Sequence, residues 1–142
     1  MRKVLILFIV TLFIGCNNKP LSSDEYQELL KQTILPIPDS LLTKEQLQLK
    51  IKLLDLFNQH ISVENNCQKL SIEKKHLEKE GIPTIYYDVL QYQVKETNRC
   101  IKEWIESGEF PIELNQDSLF NEYLVRYKEI DRPKMIKLLE SK

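Results

Sequence analysis

The chain contains no alanine and only three glycines in 142 residues. Neighbouring elements can therefore approach only as closely as larger side chains allow. Helices must rest on Leu, Lys, Glu and Gln and on burial, because the strongest helix former is missing. Where they cross, large side chains hold them toward the wider end of the usual range of about 8–10 Å. The same shortage excludes functions. Glycine-rich phosphate loops need backbone free of side chains beside the phosphates, and no pair of spaced glycines here precedes Lys-Ser/Thr or a helix start. With 20 basic residues against 21 acidic ones, no chain-wide positive field attracts nucleic acid.

The apolar pattern reads as all-α: an antiparallel helical bundle built on a long αα-hairpin, with short N- and C-terminal helices. Ser22 or Ser23 opens a short helix with Asp24, Glu25 and Glu28 near its positive end. Leu35-Pro36-Ile37-Pro38 then enforces an extended link. Thr43-Lys44-Glu45-Gln46 has the form of a capping box and opens a long helix. Steps of three and four through Leu49, Leu53, Leu56, His60, Val63, Cys67, Leu70, Lys74 and Leu77 meet seven apolar residues in nine. Lys79-Glu80-Gly81-Ile82-Pro83 ends it with a left-handed glycine. A second long helix is expected over 84–107, with Tyr87, Leu90, Val94, Thr97, Ile101 and Trp104 along one stripe. Phe110-Pro111-Ile112-Glu113-Leu114 reads as extended, a helix follows from Asp117 or Ser118, Asp131-Arg132-Pro133 breaks it, and Met135 opens a last short helix.

The N-terminus speaks to compartment. Arg2 and Lys3 precede eleven residues interrupted only by Thr11, then Gly15-Cys16-Asn17-Asn18. A spanning helix needs about 20 apolar residues, so this run is too short to be one. Phe13-Ile14-Gly15-Cys16 resembles the lipobox of bacterial lipoproteins, with Phe13 in the place the family usually gives to leucine. The resemblance implies that residues 1–15 are a signal peptide. Cys16 then becomes the mature N-terminus, carrying a thioether-linked diacylglycerol and usually an N-acyl chain such as palmitate. Two or more acyl chains anchor stably where one holds marginally. On this reading 16–23 are a lipidated tether, 24–142 a single helical domain, and the protein sits on a bacterial envelope membrane, facing the periplasm or the exterior. Loss of Arg2 and Lys3 leaves 18 basic residues against 21 acidic, so lipid rather than charge would hold it there.

With Cys16 lipidated, Cys67 and Cys100 remain as an even pair in an oxidising compartment, which predicts a disulfide. Such a bridge would close the 34 residues from Cys67 to Cys100, worth about 3.8 kcal/mol in the chain-entropy model. Two helices of matched height would bring these residues to within roughly 4–5 Å of level. His60 and His76 are the two histidines. Glu73-x-x-His76 has di-iron spacing but lacks its second pair, so no metal and no cofactor is expected. His60 is read as hydrogen-bonded within or beside the core. No serine sits in Gly-x-Ser-x-Gly, and fifteen glutamates offer no preferred catalytic pair, so no catalytic residue is assigned. Tyr86 and Tyr87 cannot share one helix face, and with Phe110 and Ile112 they form a candidate binding patch. The expectation is a lipid-anchored protein that binds another protein without catalysis, as assembly partner, inhibitor or immunity-type protector. A small-ligand carrier with an interhelical pocket is the alternative, and a cell-wall glycan hydrolase stands behind both.

Overall fold

The computed structural model describes residues 21–108 and 127–142. Cys16, Phe110 and Ile112, the extended segment after Gly108 and most of the helix expected from residue 117 lie outside them. The elements are α1 (Ser23–Lys31), a 3-10 turn (Asp39–Leu41), α2 (Lys44–His60), β1 (Ile61–Glu64), β2 (Cys67–Leu70), α3 (Lys74–Lys79), α4 (Ile85–Ser107), a π turn (Tyr127–Asp131) and α5 (Arg132–Glu140). The π turn gives way to α5 at Asp131–Arg132, ahead of the expected start at Met135. Pro133 falls in the first turn of α5, where its missing N–H has no helical partner to lose.

Local chemistry sets most boundaries. At α2, the Gln46 N–H donates to Thr43 Oγ1 (3.2 Å) and the Thr43 N–H to Gln46 Oε1 (2.9 Å). Ser22 and Glu25 make the same reciprocal pair at α1. After α3, Gly81 has φ +68°. Its N–H donates to Glu78 O (3.0 Å) and the Ile82 N–H to Leu77 O (2.8 Å), a Schellman ending whose apolar clasp, Ile82 on Leu77, belongs to the core. Gly108, at φ +71°, closes α4 in the same left-handed way. The Pro36–Pro38 link turns rather than extends, since the Ile37 N–H donates to Ile34 O (3.1 Å). Lys50 then pins the 3-10 turn through Asp39 at 2.6 Å.

The all-α expectation is overturned in the middle of the chain. The long helix stops at His60, and residues 61–70 form an antiparallel hairpin pairing Glu64 with Cys67, Val63 with Gln68 and Ile61 with Leu70. Asn65 and Asn66 both take positive φ (51° and 63°), as a two-residue hairpin turn demands and asparagine tolerates better than most residues. Burial alternates with period two: Ile61, Val63, Gln68 and Leu70 are half-buried, and Ser62, Glu64, Cys67 and Lys69 exposed. The fold is thus mostly helical with a small sheet.

The Ser71 N–H bonds to His60 O at 2.9 Å, and pairing alternates from there, so the N–H and C=O of Gln68 turn away from β1. Asn98 on α4 meets both. Its Oδ1 accepts from the Gln68 N–H (2.8 Å) and its Nδ2 donates to Gln68 O (2.9 Å). β2 and α1 pack on α4, and α5 packs on α2. Leu47, Leu53, Leu77 and Val89 are completely enclosed. Leu90, Val94 and Ile101 of the expected second-helix stripe are buried, but Tyr86 and Val89 join the buried face and Trp104 is 49% exposed.

Candidate functional site

The expected Cys67–Cys100 bridge is not formed, and both are free thiols. Level heights required Cys67 to ride a helix. On β2 it instead shares the exposed face with Lys69, and the residue of α4 that meets the strand is Asn98. In the candidate patch, Tyr86 is a core residue, 4% exposed, whose hydroxyl accepts from the Ile34 N–H at 3.3 Å. Tyr87 is half-buried beneath Lys74, whose ammonium lies 5.9 Å from the ring centroid. Burial on one helix face therefore separates this adjacent pair.

The two histidines meet, with ring centroids 6.2 Å apart. His60 Nδ1 lies 3.2 Å from Ser71 Oγ, which itself donates to His60 O at 3.0 Å, so the ring nitrogen is the donor. His76 Nδ1 accepts from the Glu73 N–H at 3.0 Å, which puts the neutral ring's proton on Nε2 and leaves no free lone pair for a metal. No cluster of three or more potential metal ligands occurs among the described residues. No helix among them is long and apolar enough to cross a membrane.

A cavity of about 600 Å³ opens between α1, α2, the hairpin and α4. Its floor is apolar, from Leu54, Phe57, Ile61, Leu90 and Val94. Tyr26 of α1 and Tyr92 of α4 form one wall, their rings stacked at 4.1 Å and 12°. The Gln93 amide donates to the Tyr26 hydroxyl at 3.0 Å, which fixes that wall. Glu96 is the one carboxylate among the described lining residues, and Arg99 holds it at 2.9 Å. Arg99 also reaches Glu103 at 2.6 Å, and hydrogen bonds to the two carboxylates, Glu96 first, raise its pKa further above the usual guanidinium range. Two-carboxylate glycan hydrolysis needs a second carboxyl across the cleft. Gln68, Thr97 and Asn58, the last from the final turn of α2, complete the described lining, and the Asn58 Nδ2 is buried with no hydrogen-bond partner.

A second groove, of about 440 Å³, runs between α2 and α5. Its charged groups are already paired: Lys52 with Glu80 at 2.9 Å, and Asp55 with Arg132 at 3.0 Å. Of the two, the first cavity is the one whose lining includes a residue with a buried, unpartnered donor. Sequence reasoning missed it because its walls come from Tyr26, Asn58 and Tyr92, which no local spacing connects. Comparison with known proteins finds no family model, no curated protein and no solved structure that matches this chain.

Proposed function

We propose that the protein is a lipid-anchored component of a bacterial envelope that acts by binding without catalysis, and that it carries a small molecule in the cavity between α1, α2, the hairpin and α4. The cavity carries this reading. It falls within the size range of small-molecule sites and combines an apolar floor with a few polar groups, as such sites do. A protein-binding patch draws less support, because Tyr86 is committed to the core. The anchor rests on the charged start, the short apolar run and the Phe13-Ile14-Gly15-Cys16 resemblance.

Native mass spectrometry of the full chain, extracted from its own membrane in mild detergent, tests the carrier. The wild type should retain a small molecule, and Leu54→Trp, which fills the cavity, should lose it. Equal retention by a folded Leu54→Trp variant would reject the pocket. Cys16→Ser should abolish lipid labelling and move the protein out of the membrane fraction, and unchanged membrane retention would reject the anchor.

A further inference from the structure

Several polar groups around the cavity are already engaged. The backbone of Gln68 is tied to Asn98, Gln93 Nε2 donates to Tyr26, and Glu96 is neutralised by Arg99. No unpaired charge is left among the described lining residues to demand an ionic ligand. Among the described residues, the buried side-chain group left without a partner is the Asn58 Nδ2, a donor out of contact with solvent. Leaving such a group unmet is costly, and native structures seldom tolerate it without a reason. Asn58 itself lines the cavity, and the Cβ–Cγ torsion of asparagine is broad, so its carboxamide can turn to meet an acceptor there at little cost.

We infer that the cavity selects a neutral, mainly apolar molecule bearing a hydrogen-bond acceptor of the carbonyl type, and that Asn58 is the residue that recognises the acceptor. The inference rests on the pocket reading above and adds the ligand's chemistry to it. The apolar part lies on Leu54, Phe57 and Leu90 beside the tyrosine wall, and the carbonyl oxygen accepts from Nδ2. A charged ligand finds no counter-ion there, since the Glu96 carboxylate is already taken.

Two fluorescent probes separate the claims. One is 6-propionyl-2-(dimethylamino)naphthalene, neutral with a single ketone, and the other is 2-(dimethylamino)naphthalene, the same ring system without it. The wild-type protein should bind the ketone probe more tightly. Asn58→Leu, near in volume but without a donor, should weaken the ketone probe about tenfold and leave the ketone-free probe within about twofold. Should Asn58→Leu fail to fold by circular dichroism, Asn58→Asp, an acceptor at neutral pH, must show the same selective loss. Equal weakening of both probes, or of neither, overturns the role of Asn58 while the cavity stands. Failure of the wild type to bind either probe overturns both readings.

Discussion

Helices α1 and α5 are each nine residues long and each is docked on one long helix, but they are held by different physics. α5 packs on α2 and buries Met135 to 3% exposure, with Ile136 and Leu139 beside it. At its start the Arg132 guanidinium clasps both oxygens of Asp55 (3.0–3.2 Å), and the Tyr127 hydroxyl donates to the same carboxylate at 3.3 Å. α1 buries none of its residues. The Tyr26–Tyr92 stack and the Gln93–Tyr26 hydrogen bond tie it to α4. Apolar burial stabilises in proportion to area and closes the surface it uses. A ring stack and an amide need little area, and beside them the cavity stays open.

That contrast can be broken, beginning with the side chain that α5 buries most deeply. Met135→Ala should lower the unfolding free energy by about 2–4 kcal/mol, read from urea titration. Asp55→Ala should cost about 1–2 kcal/mol, since it strands the Tyr127 hydroxyl and frees a part-exposed guanidinium. Tyr26→Ala should cost least in global stability, about 0.5–1.5 kcal/mol. Its effect should appear locally, as faster amide hydrogen exchange across residues 23–31 than across 132–140. Equal costs for Met135→Ala and Tyr26→Ala, or equal exchange in the two helices, would erase the distinction.

A pH titration sharpens it further. Burial, and then the Asp55 carboxylate, push the Tyr127 phenol above its ordinary value. The folded chain therefore holds that proton more tightly than the unfolded chain. Its contribution is complete below the unfolded phenol's pKa of about 10 and is lost as pH rises toward the folded value. Stability should fall above about pH 10, and Tyr127→Phe should flatten the fall. Identical alkaline slopes in the two proteins would remove Tyr127 from the α5 attachment.

What could be read in advance was whatever a side chain does to its own neighbourhood. The Thr43–Gln46 box, the Ser22 cap and the glycine endings at 81 and 108 lie within a few residues of the backbone they satisfy. The hairpin escaped because Ile61–Leu70 satisfies two periods at once. Val63 and Leu70 fall on the three-and-four step of a helix, while Ile61 and Val63 alternate with Ser62 and Glu64 as in a strand. Asn65-Asn66 decides between them, since two adjacent left-handed residues end a helix and make a turn. The disulfide expectation inherited the helical reading of Cys67 and did not survive it. Tyr86 could not be told from Tyr87 by pattern, because Ile34, 52 residues away, selects the buried one. The cavity was out of reach for the same reason, its parts being joined only by tertiary packing.

Asn98 has a further consequence for the life of the protein in a crowded compartment. A two-stranded sheet has unpaired backbone along its outer edges, and such an edge is a template on which another chain can add a strand and begin an aggregate. By spending both ends of one carboxamide on the Gln68 peptide, α4 presents the hairpin with a mimic of a third strand that has no strand beyond it. The outward N–H and C=O of Gln68 are thereby closed to an incoming strand by a side chain from within the same molecule, which makes Asn98 a block to strand addition at that point as well as a fastening for the fold.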